Sequence, residues 1–210
     1  MEKKDADIVG WVKGGASLYT SNFVTLFVGG ILTALIGAVT FGILAGPMFA
    51  GYFRVVLRLA NKSEPRPGIG DVFSGFDVFL HSLLFIIGSM IVNIVGSTVL
   101  DWVPLIGGLL SIAFSLALSA LLLFGIPLIA DKKLDVIAAV QTSIDAVKES
   151  LPQYIGFAVV ASLLGFSGVL LLGVGVVLTL PMYVASIAVA YRDVFGSSTT
   201  PVAEPVAGTA

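Results

Sequence analysis

The sequence predicts an all-α fold: a polytopic membrane bundle of six transmembrane helices, arranged as three hairpins that are each preceded by an amphipathic interfacial helix. Three observations carry that prediction. Of 210 residues, 57% are hydrophobic and only 11% are charged, about half the charged fraction of a soluble domain. Mean hydropathy is +1.06, and the long apolar runs are broken by glycine and proline more often than by polar loops. One pattern also occurs three times, over residues 7–60, 71–130 and 135–191: an amphipathic stretch followed by a pair of apolar runs, the second holding Pro47, Pro127 or Pro181. Arg58 and Arg192 each lie eleven residues beyond their proline. Residues 1–195 therefore read as a single membrane domain, and 196–210, made of Ser, Thr, Pro, Ala and Gly with one glutamate, as a disordered tail.

The same composition excludes several classes of function. With no cysteine there is no disulfide, thiolate metal site or cysteine nucleophile. His81 is the single histidine, too few for a multi-histidine metal cluster. A net charge of −2 gives no footprint for nucleic acid. Neither a cofactor nor a metal is expected. The charged head over residues 1–7 lacks the apolar stretch that a cleavable signal needs directly after its positive residues, so the first spanning helix is expected to act as the insertion signal.

Taken in order, residues 7–21 set Ile8, Trp11, Val12, Leu18 and Tyr19 on one side at helical spacing, which predicts an interfacial helix with Trp11 and Tyr19 at headgroup depth. Residues 23–53 contain no charge over 31 positions, more than the ~25 that one tilted helix absorbs. Two short spans meeting near Phe41 and Gly42 are expected, the second reaching Ala60 if Arg54 and Arg58 snorkel. Gly42 and Gly46, extended by Ala50, form a small-xxx-small series that predicts close helix packing. A polar loop with two prolines covers 61–70, and 71–80 (DVFSGFDVFL) is expected as a second interfacial helix. Its apolar face would hold Val72, Phe73, Phe76, Phe79 and Leu80, opposite Asp71, Ser74 and Asp77.

The middle hairpin, 79–130, turns at Pro104. Its first run spaces Ser89, Asn93 and Ser97 by four, and its second spaces Ser111, Ser115 and Ser119 by four, so each trio lies on one helix face. Antiparallel pairing about Pro104 predicts Ser97 against Ser111, Asn93 against Ser115, and Ser89 against Ser119. Small residues and cross-helix hydrogen bonds are what a helix seam in lipid requires. Residues 135–151 follow as the cleanest amphipathic helix, with Ile137, Val140, Ile144, Val147 and Leu151 on one face. Two spans, roughly 153–171 and 172–191, complete the pattern with a turn near Gly173 and Gly175.

Charge distribution fixes the expected topology. With both termini cytoplasmic, six spans place all eleven basic residues on the cytoplasmic side and leave Asp101 as the only charge opposite. Five spans would divide the basic groups between the two sides.

The segments GPMFAGYFR (46–54), DVFSGFDVFL (71–80) and AVAYRDVF (188–195) resemble a broad group of uncharacterised bacterial multi-pass membrane proteins, similar to the membrane domain found beside some glycerophosphodiester phosphodiesterases. The likeness covers about 10–195 and rests on packing glycines, a loop and an interfacial helix. It implies a bacterial inner-membrane location and carries over no functional residue; the phosphodiesterase catalytic domain itself has no counterpart here.

Several residues invite a functional reading. Asn93, the most polar residue at mid-membrane depth, suits an interhelical hydrogen bond better than a substrate contact, because the register already supplies Ser115. His81, beside Ser82 at an interface, reads as a polar interface residue rather than a proton relay. The glycines of 165–175 lack the preceding strand and closing Lys-Ser/Thr of a phosphate loop. Lys132, Lys133 and Lys148 are candidates for contact with anionic lipid headgroups, and they also set topology. No charge sits at the centre of any expected span, which argues against an ion-coupled carrier. The sequence therefore predicts a non-enzymatic membrane protein, a structural or interaction subunit packing through Gly and Ser interfaces. Membrane lipids, other subunits or further copies of itself are the expected partners. The alternative is a transporter or lipid-handling protein with a mostly apolar intramembrane cavity.

Overall fold

A computed structural model describes residues 7–167 and 174–196. Nine α-helices, a ten-residue 3-10 helix and a short 3-10 turn account for the described elements, with no strand among them. Among the described residues, two segments are long and apolar enough to cross a membrane: Ile69–Asp101 and Gly107–Lys132. A third is possible if the bent pair Ile8–Ser21 and Phe23–Val39 counts as one. The expected turn near Gly173 lies outside the described residues, as does the tail over 197–210.

Helix α1 (Ile8–Ser21) starts where the Asp7 carboxylate accepts from the Gly10 N–H at 2.8 Å. It lies against α9 (Val174–Phe195), with Gly15 so close to Ser186 that a Cβ would press on the Ser186 backbone. This contact encloses Trp11 within the protein: it is 3% exposed and sits against the rings of Tyr154 and Phe157, with its indole N–H donating to Asp193 at 3.1 Å. Glycine at position 15 removes the side chain that would hold the helices apart.

Helix α2 (Phe23–Val39) leaves α1 at 98°. Residues 40–44 then reverse the chain, with Phe41 at φ 50° and Gly42 at φ 85°. Gly42 is exposed and nothing lies within 4 Å of a Cβ built there. It is a turn glycine chosen for the left-handed region, not the packing glycine expected from its spacing. Gly46 does pack closely: a Cβ there would meet the Ser82–Leu83 backbone at 2.8–2.9 Å.

Helix α3 (Ala45–Ala60) carries Pro47 in its first turn, where a missing N–H costs nothing. At 16 residues it is shorter than a full span, yet it is the centre of the fold. Met48, Tyr52, Phe53, Val55 and Val56 are fully buried, and Tyr52 donates to the Leu26 carbonyl at 2.8 Å.

Against α3 lies the 3-10 helix Ile69–Val78. Its three residues per turn align positions three apart into ridges. Val72, Gly75 and Val78 are buried against α3; Phe73, Phe76 and Phe79 stack outward; Asp71, Ser74 and Asp77 form the polar ridge. The expected α-helical face joined Val72 to the phenylalanines, and the 3-10 period separates them. Glycine makes that tight approach possible, since a Cβ on Gly51 would overlap the Val72 carbonyl and one on Gly75 the Pro47 carbonyl.

The long helix α4 (Phe79–Asp101) and α5 (Gly107–Leu121) form a hairpin whose tip, 102–106, is exposed. After a break at 122–124, α6 (Gly125–Lys132) repeats the arrangement of α3, with Pro127 again in the first turn. Helix α7 (Val136–Val147) is capped by Asp135, which accepts from the Ala138 N–H at 2.9 Å. Its buried residues are Ala139, Ser143 and Val147, while Ile137 is 70% exposed. Of the expected stripe, Val147 is buried and Val140 packs on the core while Ile137 faces outward, so the inward face is rotated toward Ala139 and Ser143. Helix α8 (Leu151–Ser167) and α9 close the described fold.

Candidate functional site

Two places gather polar groups inside this apolar molecule. The first is the seam of the α4–α5 hairpin and the cavity beside it. Asn93 Nδ2 donates to Ser115 Oγ at 3.1 Å, and Ser97 Oγ lies 3.4 Å from the same Ser115 Oγ while donating to the Asn93 carbonyl at 2.7 Å. Ser115 therefore sits between Asn93 and Ser97 as a knob between two side chains of α4, not as one rung of a ladder. Interdigitation of this kind is how helix surfaces fit together. Ser111 turns back to the Gly108 carbonyl, and Ser89 to Ile86. The expected Ser97–Ser111 and Ser89–Ser119 hydrogen bonds are not formed. Further along the seam the Phe114 ring lies directly on Gly96.

Ser89, Asn93 and Ser119 instead share a cavity of about 450 Å³ with Phe49, Phe53, Pro127 and Tyr183. Helices α3, α4, α5, α6 and α9 all contribute walls. The lining holds hydroxyls and an amide but no acid, base or cation. Such a surface can enclose a mostly apolar molecule and orient its polar end by hydrogen bonding. Among the described residues no group of three His, Asp or Glu side chains stands at metal-binding distance.

The second place is a rim where the ends of α3, α6 and α9 meet. Arg54 of α3 donates to the Ala130 carbonyl near the end of α6, and to Ser74 O at 2.6 Å and Asp77 at 2.7 Å. Lys132 of α6 stands 5.0 Å from the Phe195 ring at the end of α9. Arg192 of α9 donates to the Ala60 carbonyl at the end of α3 at 2.6 Å. Each of the three helices thus sends a cation to the C-terminal end of another, where the helix dipole favours positive charge. Tyr191 adds a hydrogen bond to Asp131 at 2.7 Å.

The three candidate lysines stand at different places around this rim and α7. Lys133 pairs with Asp77 at 2.9 Å, Lys148 with Asp145 at 2.7 Å, and Lys132 faces Phe195, so the three have separate partners and form no common site. The hydrogen bond that Lys148 donates to Asp145 also raises the pKa of its ammonium above the ordinary value. His81 lines a shallow depression with Asp135 and Gln141 on the outside of α7.

Sequence reasoning missed Ser143. Its hydroxyl donates to Leu121 O at 2.6 Å and accepts from Phe124 N–H at 3.2 Å, spanning the break between α5 and α6. The available signal was a serine among alanines on an otherwise apolar helix face; its partners lie 19 and 22 residues earlier. No family model matches the chain, and no curated protein or solved structure does so either.

Proposed function

We propose that this chain is a non-enzymatic integral membrane protein that serves as a structural or interaction subunit of a membrane assembly. One observation carries the reading: the apolar α4 segment has only 17% of its most apolar window buried within the protein. Leu84, Ile87, Ile91 and Val95 turn outward along it. With its seam residues facing α5, the hairpin offers a broad apolar surface to lipid or to another subunit, and no chemistry accompanies it.

The proposal includes six spans in a bacterial inner membrane, with both termini, the 61–70 loop and α7 cytoplasmic and Asp101 opposite. The gathering of Arg54, Arg58, Lys132 and Arg192 at one rim supports this orientation, because basic residues collect on the cytoplasmic side. The chain has no cysteine, so Ser63→Cys and Asp101→Cys introduce single labels without background. An impermeant maleimide should reach them from opposite faces; labelling from one face overturns six spans.

A second reading, lipid handling, is favoured by the cavity at Asn93, whose apolar walls and few hydroxyls suit an acyl chain. Purification from native membranes separates the two. A subunit brings stable protein partners, whereas a lipid handler comes alone or as a homo-oligomer with lipid in the cavity.

A further inference from the structure

A cleft of about 780 Å³ opens between the end of α1, the end of α3 with its following loop, and α9. Arg58, Lys62, Arg66 and Arg192 line it, against the single carboxylate of Glu64. Two of the four cations are held in place. Arg58 donates to Pro65 O at 2.8 Å and to Asp71 at 3.1 Å, and Arg192 is anchored by its bond to Ala60 O. That anchor uses only Nη1. The Arg192 Nε–H is buried and has no acceptor among the described residues, so the Nε–Nη2 edge, the one that grips two oxygens of an oxyanion, is not used by the anchor. A buried donor without an acceptor is unfavourable, and of the three cations around it only Arg58 has a carboxylate partner, Asp71. The donor's penalty disappears when an oxyanion enters.

We infer that this cleft binds the phosphate of an anionic phospholipid headgroup. The oxyanion fits the Nε–Nη2 edge of Arg192, and the exposed Lys62 and Arg66 would close over it. Ser17, Ser21, Asn22 and Ser63 supply hydroxyls and an amide for a polar headgroup. Leu18, Leu59 and Val189 line the same cleft, and apolar walls beside a basic floor suit an amphiphile rather than a free phosphate ester. The site is distinct from Lys132, Lys133 and Lys148, which are engaged elsewhere. The lipid source rests on the proposed orientation, since it places the rim at headgroup depth; the oxyanion site does not.

Native mass spectrometry of the full chain, released from nanodiscs containing phosphatidylcholine and phosphatidylglycerol, tests the inference. The wild-type protein should retain phosphatidylglycerol over phosphatidylcholine, and the double variant K62Q/R66Q should lose about tenfold or more of that retention. Both residues are exposed and hold no helix end, so the variant should elute as the wild type does. K132Q/K148Q, which removes the same charge elsewhere, should retain the lipid. Equal retention by K62Q/R66Q, or equal loss in both variants, overturns the site. Competition by glycerol 3-phosphate as effective as by the lipid overturns a lipid source. Labelling of Ser63→Cys reports orientation independently, so a failed topology and a failed site give different results.

Discussion

Helices α3 and α4 show opposite relations between hydrophobicity and burial. Helix α3 carries two arginines, three glycine and proline positions and only 16 residues, yet it is buried almost all round. Helix α4 has 23 residues, no charge before Asp101 and many large aliphatic side chains, and most of them face outward. In water the second would be the core. In lipid, apolar surface gains nothing by leaving the hydrocarbon for another helix, so close approach and satisfied polar groups decide what is central. Helix α3 has both: Gly46 and Gly51 admit neighbouring backbone, and Arg54 and Tyr52 hydrogen-bond outward from it.

The largest effect should come from glycine. Gly51→Leu drives a side chain into the Val72 carbonyl, and overpacking of this kind costs about 1–3 kcal/mol and occasionally more. The same change at Gly88 of α4, where nothing lies within 4 Å of a Cβ, should be tolerated. Size-exclusion profiles in detergent should show loss of the monodisperse peak for the first and not the second; equal profiles would erase the contrast between the helices.

A smaller effect is expected at Ser143. Removing its hydroxyl in Ser143→Ala leaves the Phe124 N–H and the Leu121 carbonyl short of a partner, a loss of about 1–3 kcal/mol. Ile137→Ala, on the outward side of the same helix, should leave thermal stability nearly unchanged. If Ile137→Ala were the worse of the two, α7 would face its neighbours as its sequence pattern suggested.

The smallest effect concerns the α4–α5 seam. Hydrogen bonds within membranes average about 0.6 kcal/mol and reach about 1.7, so Asn93→Ala and Ser115→Ala should each be mild. Their double-mutant cycle should be non-additive, because the two side chains touch. Strict additivity would assign Asn93 to the cavity alone and strengthen the lipid-handling reading. Steric approach, a bridged break and one exposed seam thus rank by how completely neighbours enclose each site.

Much of this was legible from local patterns. Composition and periodicity announce an all-helical membrane protein, and the glycine at position 42 marks where two apolar segments meet. The four-residue spacing of Asn93 and Ser97 predicts a seam facing α5. These features depend on neighbours within about one or two helical turns, and the sequence contains all of those neighbours.

Tertiary structure alone decided the rest. Trp11 has the sequence signature of an interfacial residue, but a glycine-sized gap against α9 makes it core. Residues 69–78 alternate in a way compatible with an α-helix, and only the backbone approach at Gly51 and Gly75 selects the 3-10 period that turns Phe73 and Phe76 outward. Lys132, Lys133 and Lys148 are close in sequence but turn to different partners. Arg58 and Arg192 are 134 residues apart and share one cleft. Local propensity acts over a few residues, whereas backbone proximity and charge pairing depend on which distant segments meet.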